Sequence, residues 1–197
     1  GEAGRKEARD AFAAAAKARP GIPATQDLVL GLDISLDDKE NAEQHARDVL
    51  RRNRNAPLAN YVMGSLAFGR GNLAEAETFL RKAANAPQPV ALALNDLAEV
   101  LRRTQRLAEA ETYARKAVKA APGLYVAWET LGAILMDQNR DFAEAESCIR
   151  KACELSKGPN GREADVRMLV SLARVQLKAG DRQHAKVTIR KVQSRIG

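Results

Sequence analysis

Aromatic side chains are scarce: four Phe, three Tyr and one Trp in 197 residues. A core with few large rings must be closed by smaller groups, so the recurring alanines imply helices packed at close range. Regularly spaced rings on which nucleobases could stack are also lacking. No apolar run approaches the roughly 18 residues that a bilayer-spanning helix needs, and no hydrophobic leader opens the chain. Histidine and cysteine number two each. His45 and His184 have no Cys, Asp or Glu arranged at metal-ligand spacing. Cys148 and Cys153 stand five residues apart, which on one helix turns their side chains away from each other. They read as small apolar fillers rather than as a disulfide, redox or metal pair. A glycine-rich phosphate loop, a zinc-protease motif and a nucleophile elbow are all missing. Nothing here argues for an enzyme, a cofactor or a metal, and the chain is read as non-catalytic.

What is present suits a folded, water-soluble domain: 45% hydrophobic and 29% charged residues. The formal charge of +7 and pI near 9.6 bear on solubility and electrostatic steering, not on a site. The chain opens on Gly1 rather than methionine, which reads as an excised or mature piece with an N-terminal segment missing. Unpaired cysteines favour the cytoplasm, while a periplasmic or membrane-tethered parent stays open.

Periodicity is the most informative feature. Alanines recur at Ala8, Ala42, Ala76 and Ala110, each 34 residues after the last, then at Ala145 after 35 and Ala185 after 40. Four residues beyond each lie Phe12, Ala46, Leu80, Ala114, Ile149 and Ile189. Three further on come Ala15, Val49, Ala83, Ala117, Ala152 and Val192. An apolar triplet at i, i+4 and i+7 is one stripe of an α-helix. Between these stripes run Tyr61, Gly64, Ala67 and Phe68; Leu94, Leu97, Ala98 and Leu101; Trp128, Leu131, Gly132 and Leu135; and Leu169, Leu172, Ala173 and Leu177. Each unit is therefore two helices joined by a short turn.

The turns carry matching punctuation. Gly71, Asn139 and Gly180 stand where a first helix should end in a left-handed residue. Asp37 with Glu40, Asn72 with Glu75 and Asp141 with Glu144 have capping-box spacing. Pro20, Pro57, Pro87 and Pro122 fall between units, where no helix need continue.

The pattern resembles the tetratricopeptide repeat (TPR). Trp128-x-x-Leu131-Gly132-x-x-Leu135 is similar to the first-helix signature of that family, and Ala8-x3-Phe12-x2-Ala15-x4-Pro20 to its second-helix signature. The resemblance implies an all-α, right-handed α-solenoid of antiparallel helix pairs with about eleven helices. Its expected units are a half repeat at 4–20 and repeats at 22–56, 57–87, 88–122, 124–157 and 161–197, forming a single repeat domain over 1–197. Three departures stand out. Residues 22–36 fit the first-helix pattern poorly, with Asp27 and Asp33 inside them. The turn from Asn139 to Asp141 carries an extra residue. The join from Ser156 to Gly161 is six residues too long and is expected to be a flexible loop with a kink in the solenoid.

A charge pattern repeats as well. Glu77 with Arg81, Glu111 with Arg115 and Glu146 with Arg150 are i,i+4 pairs in the favourable order. They read as a solvated outer face laced with salt bridges in preference to a basic stripe for nucleic acid, since the glutamates would repel phosphates.

By resemblance, the first helices line the concave face on which TPR ligands lie. That places Tyr61, Ser65, Phe68 and Asn95 in the groove, followed by Glu99, Arg102, Arg103 and Glu129. Ala133, Met136, Val170, Arg174 and Lys178 complete it. Phe68 and Met136 are equally readable as core. A protein or peptide segment combining an apolar anchor with acidic residues would complement this surface. The lysine and asparagine grip that some family members use on a chaperone's C-terminal carboxylate is absent: Tyr61, Ser65, Asp96, Val126 and Thr130 stand at those places. The leading expectation is a protein-interaction scaffold. A self-associating module, burying Val187, Ile189, Val192 and Ile196 of the last helix against another copy, is the alternative. Nucleic-acid binding through the positive charge ranks third.

Overall fold

A computed structural model of the chain describes residues 2–18, 23–157 and 166–196. Among these are eleven α-helices and no strand: α1 (Glu2–Ala18), α2 (Pro23–Ser35), α3 (Lys39–Arg52), α4 (Pro57–Gly69), α5 (Leu73–Ala84), α6 (Ala91–Arg103), α7 (Leu107–Ala120), α8 (Tyr125–Asp137), α9 (Phe142–Ser156), α10 (Val166–Lys178) and α11 (Arg182–Ile196). The count matches the periodicity. Contacts divide the chain into two compact units, Gly1–Leu97 and Ala98–Gly197, with the division inside α6.

In the first unit each helix from α1 to α5 packs on its chain neighbours, and α2 also meets α4. The second unit repeats that scheme from α7 to α11, with α8 meeting α10. Such nearest-neighbour packing is how a repeat buries a face it cannot cover alone. Four of the six alanine-led stripes are buried: Ala42, Ala46 and Val49; Ala76, Leu80 and Ala83; Ala110, Ala114 and Ala117; Ala145, Ile149 and Ala152. The first and last stripes differ from expectation. Phe12 is 36% exposed and Ala15 is exposed, because α1 packs only on α2 among the described helices. At the other end Ala185 is buried while Ile189 is 36% exposed.

Gly64 and Gly132, on α4 and α8, show how tightly a pair closes. A Cβ on Gly64 would lie 2.7 Å from Leu80 Cγ, and one on Gly132 would lie 2.7 Å from Ile149 Cδ1. The space a side chain would need there is already filled by the second helix of the same pair.

The turns inside pairs share one device. Asp37, Gln105 and Asn139 have φ of 53°, 62° and 52°, and Gly71 and Gly180 have φ of 79°. The first four of these turn residues are 34 apart in sequence. In each turn the next N–H reaches back to the last helical turn: Asp38 to Asp33 O, Asn72 to Ala67 O, Arg106 to Leu101 O, Arg140 to Leu135 O and Asp181 to Gln176 O. This is the Schellman arrangement, which needs one left-handed residue. Gly71, Asn139 and Gly180 fill that place as expected, whereas Asp37 corrects its expected role. The left-handed residue is Asp37 itself, and the cap of α3 is Asp38, whose carboxylate accepts from Asn41 N at 3.3 Å. Asn72 and Asp141 do cap α5 and α9, accepting from Glu75 N and Glu144 N. The extra residue of the 139–141 turn follows the Schellman position, and Asp141 takes a second left-handed conformation, φ 47°.

Residues 23–35 form α2 despite their poor match. The misfit resolves into a buried polar contact: Asp33 is fully buried, with Oδ2 2.6 Å from His45 Nδ1 and Oδ1 3.9 Å from the Arg9 guanidinium. Burial raises the Asp33 carboxyl above its usual range, with His45 and Arg9 opposing. Cys148 and Cys153 are buried and free. Burial pushes the Cys148 thiol up to about 11 and raises that of Cys153, so both are poor nucleophiles, consistent with fillers. Pro20 and residues 158–161 of the expected flexible join lie outside the described residues. Pro57 opens α4 at its first turn.

A non-glycine residue in the left-handed region costs about 1–2 kcal/mol. Gln105→Gly is therefore expected to stabilise the fold by about 1 kcal/mol, and Gly71→Ala to destabilise it by a similar amount. Urea unfolding checks both; unchanged midpoints would contradict the turn geometry.

Candidate interaction surface

The expected groove residues fall into three groups: buried, internally paired and open. In the first unit, Tyr61 is 9% exposed and Asn95 7%, so both line the surface from beneath. Burial, then the charge of Asp96, pushes the Tyr61 hydroxyl up to about 12 against an opposing hydrogen bond with Ser65. Asn95 Nδ2 donates to Asp96 Oδ1 at 3.2 Å, while Asn95 Oδ1 is buried with no hydrogen-bond partner. Ser65 and Phe68 are half-buried.

In the second unit, Arg102 donates to both oxygens of Glu99, at 2.8 and 2.9 Å, and to Asp137 at 2.6 Å. Arg103 donates to Glu99 at 2.8 Å. Burial works to raise the Glu99 carboxyl, but the two arginines outweigh it and hold it below its usual range. Arg102 is thus engaged by Glu99 of its own helix and by Asp137 of α8, and Arg103 by Glu99. Met136, 5% exposed, belongs to the core. Glu129 and Ala133 are half-buried. Lys178 Nζ donates to Met136 O at 3.2 Å and Asn139 Oδ1 at 3.1 Å, closing the C-terminal end of α8. Val170 is 42% exposed, and Arg174 is exposed. Among the candidates these two, with the partly engaged Lys178, form the open portion.

The second helices carry the expected ion-pair lacing. Arg81 reaches Glu77 at 2.8 Å, Arg115 reaches Glu111 at 2.9 Å and Arg150 reaches Glu146 at 2.6 Å. Further bonds tie successive pairs together. Arg115 grips both oxygens of Glu144, at 2.7 and 2.8 Å. Arg140 bonds Glu111, and Arg70 bonds Glu43. Gln176 Nε2 donates to Glu146 at 3.0 Å.

The sequence reading missed where the positive charge resides. Residues 157–197 contain ten Lys and Arg against three Asp and Glu, a net +7 that equals the charge of the whole chain. The preceding 156 residues are balanced. Neither α10 nor α11 holds a carboxylate, and Asp181 between them is engaged with His184, Oδ2 to Nδ1 at 2.6 Å. Tallying charge by segment would have shown this from the sequence alone.

The helix pairs, their Schellman turns and the glycine crossings define a helical repeat protein. Matches to the tetratricopeptide repeat family cover residues 34–90, 90–121 and 125–159, and the chain belongs to that family. Solved structures agree on the fold. YrrB, described as a TPR protein with an unusual peptide-binding site, is 19% identical over 93% of this chain and 91% of its own, with TM-score 0.68. PilW, described as a widely conserved type IV pilus biogenesis factor, is 18% identical over 96% and 85%, with TM-score 0.71. PilF of Pseudomonas aeruginosa is 15% identical over 97% and 93%, with TM-score 0.71. At such identities the likeness is one of fold. Comparison with curated protein sequences gives no match. No helix among the described residues is long and apolar enough to cross a membrane.

The ion pairs give a pH prediction. Hydrogen bonds from Arg70 and then Arg47 hold the Glu43 carboxyl down at about 2, over a smaller opposing effect of burial. A depressed carboxyl stabilises the fold at neutral pH and loses that contribution as pH falls from the usual carboxylate range toward about 2. Arg70→Ala should move the acid-unfolding midpoint to higher pH while costing less than about 1 kcal/mol at pH 7. An unchanged acid midpoint by circular dichroism would contradict the pairing.

Proposed function

We propose that this chain is a non-catalytic protein-interaction scaffold whose first helices hold an acidic or amphipathic segment of another protein. The carrying observation is the exposed face of α10. Arg174 stands there with Val170, 42% exposed, on a helix free of carboxylates. Most other arginines of the candidate surface are neutralised from within. A cation beside an aliphatic side chain favours a carboxylate next to an apolar anchor. YrrB, a relative in fold, is described as having a peptide-binding site, which accords with a peptide ligand here. The scarcity of rings and the paired glutamates of the second helices weigh against nucleic acid.

Panning a displayed random-peptide library against the chain tests this. The expected binders carry Asp or Glu next to Leu, Ile or Phe, and Arg174→Glu weakens them about tenfold or more. Binders without acidic residues, or with unchanged affinity for Arg174→Glu, would refute the assignment.

A further inference from the structure

Three successive second helices carry a ring at one place in the repeat: His45, Phe79 and Tyr113, each 34 residues after the last. Phe79 is half-buried and Tyr113 is 8% exposed. Three residues on, a lysine lies over each of these two rings, Lys82 5.8 Å and Lys116 4.9 Å from the centroid. The first of the three helices, α3, departs from this scheme. Its ring is the smaller imidazole of His45, held by a 2.6 Å contact between Nδ1 and the fully buried Asp33 carboxylate. Its lysine position is Asp48, which Arg51 holds at 2.7 Å.

Beside His45 a cavity of about 500 Å³ opens between α1 and α3. Among the described residues these helices each pack on α2 and not on one another, so α2 floors the cleft and helices bound it on both sides. Val29 and Val49, 3% and 7% exposed, give it an aliphatic base, and Ala13 of α1 forms part of the facing wall. His45, Val49 and Arg52 follow at i, i+4 and i+7 on one face of α3, which sets Arg52 roughly 10 Å along the helix from the imidazole. Arg52 and Lys17, in the last turns of α3 and α1, also line the cleft. Both are exposed, and among the described residues neither is held by a hydrogen bond or an ion pair.

These features select an occupant. The size lies in the range of about 300–1,000 Å³ that small-molecule sites have, and the lining is mainly apolar with a few polar groups, as such sites require. Flat aliphatic walls, at a place where the following repeats hold a ring, suit an aromatic body. Two unpaired cations at one end suit a carboxylate. A nucleotide meets the charge, but its base would leave its hydrogen-bonding edge unpaired against valine and alanine.

We infer that the α1–α2–α3 cleft binds a small aromatic carboxylate, its ring between Ala13, Val29 and Val49 beside His45 and its carboxylate on Lys17 and Arg52. None of the first-helix residues of the proposed function lines this cleft, so the inference goes beyond that reading and does not depend on it.

The test titrates the whole chain with naphthoate and follows the imidazole signals by proton NMR. The chain has two histidines, and His184→Gln assigns their signals. Naphthoate should shift the His45 signals saturably and leave those of His184 in place. Lys17→Glu with Arg52→Glu should weaken binding about tenfold or more. Ala13→Phe, which fills the cleft from α1, should abolish it while leaving the Asp33–His45 contact intact. Circular dichroism checks that each variant is folded; the exposed charge positions decide the matter if Ala13→Phe does not fold. Naphthylmethanol, the ring without the charge, and octanoate, the charge without the ring, should each bind about tenfold more weakly or worse. Absence of saturation, equal shifts at His184, equal binding of either control, or unchanged affinity of the charge-reversed variant would overturn the proposal. So would tighter binding of adenosine monophosphate than of naphthoate. Tighter binding of a peptide that pairs phenylalanine with glutamate would also overturn it, and would make the cleft a protein interface.

Discussion

The fold depends on how closely the two helices of a pair approach. At Gly64 and Gly132 the backbone of the first helix lies so near Leu80 and Ile149 that an added Cβ would stand 2.7 Å from those side chains. Close approach lets Leu80 and Ile149, with alanines around them, exclude water without large rings. Ala98 and Ala173, both buried, occupy the related positions of α6 and α10, so the crossing takes nothing larger than alanine in any of these pairs. The scarcity of aromatics and the abundance of alanine are consequences of this spacing.

A fixed crossing requires a fixed turn. The left-handed residue at 37, 71, 105, 139 and 180 ends each first helix, and in most turns the following cap starts the second. The exposed faces follow from that geometry. Second helices present Glu and Arg at i,i+4, which pair within the helix and reach the next pair, as Arg115 does with Glu144. These pairs sit in water and each contributes little; their effect on function is to spend most of the charge internally. The charge left over is confined to residues 157–197. Interaction chemistry is therefore unevenly distributed, with balanced and self-paired surfaces through most of the chain and an aliphatic, cationic surface on α10 and α11.

Much of the fold was legible because period and punctuation are local. The 34-residue alanine spacing located the buried stripes from α3 to α9, and Gly71, Asn139 and Gly180 marked their turns. Asp37 misled because aspartate serves both as a cap and as a left-handed residue, and only the backbone tells which of Asp37 and Asp38 does each. Gln105 went unnoticed since its side chain gives no sign of a positive φ. The candidate site was less legible. Family register placed Arg102, Arg103 and Met136 on a binding face, but whether an arginine is free depends on Glu99 and Asp137, and whether a methionine is covered depends on α10. Those are contacts between distant residues, which spacing along one helix does not encode. Phe12 and Ile189 show the same limit: an apolar stripe predicts a face to be buried, not that a neighbour lies over it.

The claim that close helix approach governs the fold is tested most directly by a double-mutant cycle at Gly132 and Ile149. Gly132→Ala alone should cost about 1–3 kcal/mol by overpacking. In an Ile149→Ala background, where the obstructing Cγ1 and Cδ1 atoms are gone, the same change should cost far less, giving a coupling of about 1 kcal/mol or more. Costs that add within about 0.5 kcal/mol would mean that the two helices do not meet at this point, and the account of the fold would fail with them.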